Sequence, residues 1–179
     1  DVIGNAYEYL IARFAGDSGK KGGEFYTPAE VSQLLAKLVE PKENDRVYDP
    51  ACGSGSLLLK ATNEVKDKKV SVYGQESNSS TYNLCRMNMF LHGVNDAHIA
   101  WGDTLAKGFE SENTTVVKNG KKVDTFKMEA GMDVFKRFEY GVPPKSIGDY
   151  AFIQHMLKSL ADDGRMAVVL PHGALFRGA

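Results

Sequence analysis

The residues with the clearest chemical purpose form one short run, Asp49-Pro50-Ala51-Cys52-Gly53-Ser54-Gly55. Glycine lets a backbone approach a ligand closely. The run lies between a strand-like stretch, Arg46-Val47-Tyr48-Asp49, and a helical one beginning at Ser56. That is where an open α/β sheet places its ligand crevice. A glycine turn alone serves equally well as a plain strand-to-helix connection. Glu76 follows about 20 residues later, just past the next strand-like stretch, where a carboxylate can accept hydrogen bonds from both hydroxyls of a ribose. Alone it would be a solvated loop acid. Together the two features point to an adenosine-containing cofactor. The glycines do not follow GxGxxG and no phosphate-binding lysine comes after them. S-adenosylmethionine is therefore favoured over nicotinamide and triphosphate ligands.

The elements that must position these residues are legible in outline. Thr27, Pro28 and Glu30 form a capping box, with Thr27 as N-cap and Pro28 at the first helical position. Val31, Leu34, Leu35, Leu38 and Val39 then make one apolar helical face, and Pro41 stops it. Strands are predicted at Arg46–Asp49, Val70–Tyr73 and His98–Trp101. Helices are predicted from Ser56 to Val65 and from Asn78 to Leu91, the latter with Tyr82, Cys85 and Met89 on one face and Gly93 just past its end. Strands alternating with helices make βαβ units and a parallel sheet. Between Ala106 and Gly148 the pattern breaks. Lys118-Asn119-Gly120-Lys121-Lys122 is a hairpin or loop tip, and Val123 to Phe126 begins a strand that does not continue. Asp149 then caps a helix with Ile153, Met156, Leu157 and Leu160 on one face. Asp162-Asp163-Gly164 turns into Arg165 to Leu170, the strongest strand pattern in the chain. Trp101 is expected to pack beside the cofactor adenine, His155 to be a capping or core residue, and His172 to support a loop near the crevice.

Composition bounds the answer further. The 179 residues make one domain's worth of chain, 42% hydrophobic and 25% charged. Disorder and a membrane span are excluded as descriptions of it, since no run of about 18 apolar residues exists. The N-terminus DVIGNAYEYL lacks the basic and apolar parts of a secretory signal, which predicts a cytoplasmic chain or one whose signal has been removed. Lys and Arg number 22 against 23 Asp and Glu. Nucleic acid would therefore have to be held by a local patch or with a partner's help. Two cysteines, four histidines and no CxxC predict neither a disulfide scaffold nor a metal site.

Several segments, in order, resemble one family. Asp49 to Gly55 resembles the cofactor motif of amino-methylating DNA methyltransferases, and Gly23-Glu24-Phe25-Tyr26-Thr27-Pro28 the segment preceding it in the N6-adenine group. Asp1 to Ala15, Gly19 to Gly23, Phe138 to Pro144, Asp149 to Leu157 and Leu170-Pro171-His172-Gly173 are similar to the modification subunit of type I restriction–modification systems. The resemblance implies a Rossmann-like α/β methyltransferase core with a mostly parallel sheet, its C-terminal strands missing after Ala179. It divides the chain into an N-terminal helical segment with the cofactor lead-in, 1–26, and a catalytic core, 27–179. Glu24, Phe25, Tyr26, Thr27 and Pro28 would wrap the methionine end of S-adenosylmethionine. Asp49 would accept a hydrogen bond from the cofactor's amino group, above Ala51, Gly53, Ser54 and Gly55. Glu76 would hold the ribose, and Asp103 would contact the adenine amine or simply cap a helix. The implied reaction is methyl transfer to N6 of adenine in DNA. The implied setting is cytoplasmic, with a DNA-specificity subunit and a restriction subunit as partners and no metal.

One part of the family pattern is absent. The Asn-Pro-Pro-Phe/Tyr motif, which polarises the adenine amine and stacks on the base, occurs nowhere. The Pro-Pro in Val142-Pro143-Pro144-Lys145 offers neither the amide nor the aromatic ring. The motif is expected immediately after Phe126, so a stretch of roughly 10–25 residues is expected to be absent between Phe126 and about Lys136, either left out of this sequence or deleted from the protein. Two readings stay open: a DNA methyltransferase subunit, or a degenerate methyltransferase fold that binds a cofactor or partner without catalysis.

Overall fold

The computed structural model describes residues 2–17, 26–107, 117–118, 121–122, 135–143 and 148–175. The chain divides into two compact units, Asp1–Thr104 and Leu105–Ala179. The first holds helices α1 (Val2–Asp17), α2 (Ala29–Val39), α3 (Ser56–Asn63) and α4 (Ser79–Leu91), and strands β1 (Arg46–Asp49), β2 (Ser71–Glu76) and β3 (His98–Trp101). The strands form one sheet in the order β1-β2-β3, parallel throughout, with Asp49 opposite Gly74 and Glu76 opposite Trp101. The predicted βαβ alternation is what the structure has.

The core lies where α3 and α4 cover the sheet. Leu58 and Leu59 from α3, Val72 from β2 and Cys85 and Met89 from α4 are buried together, with Val47 and Ile99 packed against them. Gly74 is one of the points of close approach. A Cβ there would stand 2.9 Å from Ile99 Cδ1 and 3.0 Å from Cys52 Sγ. β2 runs to Glu76, three residues past its predicted end at Tyr73. Gly74, Gln75 and Glu76 carry no apolar pattern, but β3 supplies a ladder partner for each, and tertiary pairing outweighs local propensity. Glu76 is thus the last residue of the strand instead of the first loop residue beyond it.

Helix ends follow local chemistry. The Asn78 side chain caps α4 by accepting the Ser80 and Thr81 N–H groups at 2.9 and 3.2 Å. At the other end Gly93 takes φ +74°. The Gly93 N–H reaches Phe90 O and the Val94 N–H reaches Met89 O, the paired bonds of a Schellman ending. The capping box at α2 does not form as predicted. Pro28 occupies the N-cap position, the helix begins at Ala29, and no side-chain cap bond closes it. Its buried face is also rotated from the predicted one. Ser32, Leu35 and Ala36 are inside, while Leu34 and Leu38 are exposed. α3 ends at Asn63, two residues before Val65. α1 turns Gly4, Ile11 and Ala15 inward, and a Cβ on Gly4 would meet the His92 ring at 2.8 Å.

In the second unit, α5 is the short helix Thr104–Lys107, which begins at the boundary. β4 (Val117–Lys118) and β5 (Lys121–Lys122) pair as the predicted hairpin. α6 (Asp149–Ser159) has Gly148 as its N-cap, so Asp149 sits in the first turn and does not cap it. Ala151 and His155 are its buried residues, and Leu157 is exposed. Leu105, Phe138 and Ala151 make a small core. Arg137 is buried beside it, donating to Leu105 O at 2.9 Å, lying against the Phe135 and Phe138 rings, and standing 3.5 Å from His155 Nδ1. His155 is therefore a core residue. Arg165 to Leu170 pairs with no strand among the described residues. Val168 and Val169 are exposed; β-propensity makes a strand only where a neighbour completes the ladder. The strand start predicted at Val123 to Phe126 lies outside the described residues, as does the predicted gap before Lys136 except for Phe135.

Candidate cofactor site

The glycine turn is tied down from three sides. Within it, the Ala51 N–H donates to Asp49 Oδ1 at 3.0 Å and the Gly55 N–H to Cys52 O at 2.7 Å. From the sheet, Gln75 O accepts the Cys52 N–H at 3.0 Å. Gly53 and Gly55 have φ +55° and +83°, a region that favours glycine. A Cβ on Gly55 would also lie 2.5 Å from Met89 Cε and 2.9 Å from Cys85 Sγ. From α4, the fully buried Asn88 donates to Ser54 O at 3.0 Å. Thr104 Oγ1 donates to Pro50 O at 2.5 Å.

Glu76 is the electrostatic centre of the turn. It is 9% exposed. Its Oε2 accepts the Gly53 N–H at 3.1 Å, and its Oε1 accepts the Asn78 N–H at 2.7 Å and the Ser77 hydroxyl at 3.4 Å. One carboxylate thereby joins the glycine turn, the end of β2 and the start of α4. Asp49 is held differently. Its Oδ2 is buried and has no hydrogen-bond partner. Burial raises its pKa to about 6, against the Ala51 N–H, which lowers it, and with the nearby Glu76 charge, which raises it further. A buried carboxylate oxygen with one face unused fits a ligand that presents an N–H.

Other predicted residues fall as follows. Tyr26 and Thr27 are half-buried and Pro28 is exposed. Thr27 O and Pro28 O accept the Ser32 hydroxyl at 3.3 and 3.2 Å. Tyr26 borders a cavity of about 220 Å³ shared with Ala29, Ser56, Glu8 and Lys60. Burial first, and then the Glu8 and Glu30 charges, push its phenol pKa up. Ser54 is buried, its hydroxyl 3.1 Å from that of Ser56, so its side chain faces the protein. Ala51 is exposed on the turn. Asp103 is exposed immediately before α5. Glu24 and Phe25 lie outside the described residues. Trp101 is 63% exposed, and its indole N–H donates to Ser77 O at 3.0 Å. Cys52 and Cys85 are both buried free thiols with their sulfurs 3.7 Å apart. The Cys85 contact and burial push the Cys52 thiol pKa up, so it is a packing residue and not a nucleophile. His172 is exposed in the turn that follows Pro171.

Asn88 and Thr104 are the functional supports that sequence reading missed. Asn88 did leave a signal. It is a polar residue on the buried face that Thr81, Cys85 and Met89 share, and buried polar groups have partners. Thr104 left none, because its acceptor is 54 residues away.

A sequence model of the N-6 DNA methylase family matches residues 1–179. The type I restriction enzyme MpnII methylase subunit of Mycoplasma pneumoniae is 40% identical over 198 aligned positions, covering 99% of this chain and 36% of the relative. The MjaVIII methylase subunit of Methanocaldococcus jannaschii is 38% identical over 198 positions, covering 99% and 33%. Among solved structures, the type I restriction–modification methyltransferase subunit of Streptococcus thermophilus aligns with a TM-score of 0.78 at 37% identity, over 98% of this chain and 40% of that one. The chain thus spans between a third and two fifths of the length of these relatives. It belongs to the N-6 DNA methylase family, and its relatives there are the methylase subunits of type I restriction–modification systems.

Proposed function

We propose that the chain binds S-adenosylmethionine at the Asp49–Gly55 turn and forms the cofactor half of an adenine-N6 DNA methyltransferase subunit. The observation that carries this reading is the unpartnered Asp49 oxygen, buried at the head of the turn with Glu76 beside it. Asp49 Oδ2 accepts an N–H of the cofactor. Glu76 keeps spare lone pairs after its three internal bonds and turns them toward the ribose hydroxyls. Gly53 to Gly55 supply a surface without side chains, and Tyr26 to Pro28 border the methionine end. Glu24, Phe25 and Asp103 complete the set by family resemblance. The bound cofactor supplies the methyl group from its sulfonium. DNA, a DNA-specificity subunit and a restriction subunit are the partners of the full-length protein in this reading, and the cytoplasm its compartment. The near-neutral charge of the chain supports a division of labour in which a partner reads the DNA.

A second reading, a cofactor-binding module without catalysis, is favoured by one specific observation. The alignment with the Mycoplasma relative is longer than this chain, 198 positions against 179. The relative therefore carries residues inside the matched span that have no counterpart here. We place that difference between Phe126 and Lys136, where the acceptor-base motif belongs.

Two measurements separate the readings. Calorimetric titration with S-adenosylmethionine tests the cofactor site, and no heat of binding would overturn both. Transfer of radiolabelled methyl groups to adenine-containing DNA, with the intact mass and peptide map across 122–140 checked on the same sample, tests catalysis. Binding without transfer at a mass of 19.6 kDa supports the module. Transfer supports the enzyme.

A further inference from the structure

We propose that Glu8 and Lys60 form a positioning pair through which α1 sets the height of the cofactor turn; this rests on the cofactor reading above. Lys60 Nζ and Glu8 Oε2 are 3.1 Å apart, and the two side chains are 22% and 17% exposed. The pair joins α1 to α3, 52 residues away in sequence. α3 starts directly at Gly55, so a shift of α3 along its axis carries the Gly53–Gly55 amides with it. Glu8 also acts on a second element. Its charge is felt by Tyr26, the first described residue of the lead-in to α2. Glu8, Lys60, Tyr26, Ala29 and Ser56 all face the same cavity of about 220 Å³. Ala29 and Ser56 are the first residues of α2 and α3, so the pair stands beside the starts of both helices. At its other end α1 lies against α4, where Gly4 faces the His92 ring.

The pair acts on the turn through α3, so its loss should loosen cofactor binding while leaving the fold in place. The test compares Glu8→Gln, Lys60→Met and the exchanged pair Glu8→Lys/Lys60→Glu in the whole chain, by calorimetric titration with S-adenosylmethionine and by thermal melting without ligand. Each single variant is expected to bind roughly fivefold more weakly, the upper end for a partly exposed pair. The exchanged pair is expected to regain most of that loss, with melting temperatures close to the parent's. Unchanged affinity in both single variants would overturn the proposal, as would failure of the exchanged pair to recover. Weaker binding that only tracks lower melting temperature would reduce the pair to a structural contact and overturn it as well. A parent chain that binds no cofactor would fail at an earlier point, removing the cofactor reading and this inference with it.

Discussion

At the scale of single residues, Asp49 and Glu76 do opposite jobs with the same functional group. Asp49 carries a cost in the ligand-free fold. Its pKa rises from 3.8 to about 6, so the fold prefers the protonated acid. Its contribution to stability is therefore complete below the unfolded value and is lost as pH rises through about 6. The loss amounts to roughly 3 kcal/mol at one to two pH units above that point. Asp49→Asn should be more stable than the parent at pH 7 and lose that advantage by pH 4, which urea midpoints at the two pH values would read. The same substitution should weaken cofactor binding, and parent affinity should fall below pH 6 as the acceptor is protonated. Glu76→Ala should lose about 1–3 kcal/mol of cofactor affinity. It should also lower stability by about 1–3 kcal/mol, because the Gly53 and Asn78 N–H groups lose their acceptor. Unchanged affinity by calorimetry would leave Glu76 a structural acid. Gly53 and Glu76 were legible in the sequence because their separation is a known spacing with a mechanical reason. The unused oxygen of Asp49 was not, since burial depends on which strands close over it.

At the scale of elements, two residues on one helix make the contrast. Leu35 is buried on α2 and Leu38 is exposed, though both belong to the apolar face read from the sequence. Leu35→Ala should cost about 2–5 kcal/mol, whereas Leu38→Ala should stay within about 0.5 kcal/mol. Equal costs in denaturant titrations would restore the face read from periodicity. The rotation has a physical origin: α2 packs on α3 and Ser32 and Ala36, both small, are buried on it with Leu35, so packing, not hydrophobicity alone, chose the face. Gly55 offers a second contrast with Gly93. Both have positive φ, but only Gly55 has atoms where a Cβ would go. Gly93→Ala should cost about 1–2 kcal/mol of backbone strain. Gly55→Ala should add about 1–3 kcal/mol of overpacking to that, and a smaller loss at Gly55 than at Gly93 would contradict the packing. β1 and β3 were legible to the residue. Arg165 to Leu170 looked better than either, yet it pairs with no strand among the described residues, because pairing is a property of two segments.

At the scale of the whole molecule, charge and topology divide the work. The parallel three-stranded sheet and its two covering helices were readable from alternation alone, and they suffice to build the glycine turn. Among the described residues no helix is long and apolar enough to cross a membrane. What the sequence left open is the acceptor side. A chain covering 36% of one relative and 40% of a solved one can hold a cofactor site without holding the whole reaction. Accordingly, binding of S-adenosylmethionine by this chain should be insensitive to added duplex DNA. A DNA-dependent rise in affinity would mean that the acceptor side is present and coupled.

The exposed indole gives the protein a built-in lamp. Trp101 is its single tryptophan, anchored to Ser77 O and facing solvent at the end of the strand beside Glu76. All tryptophan emission therefore arises from the end of β3 beside Glu76. It should be red-shifted and open to iodide quenching in the empty protein. Occupancy by an adenine would show as a change in that one signal, with no label and no competing background.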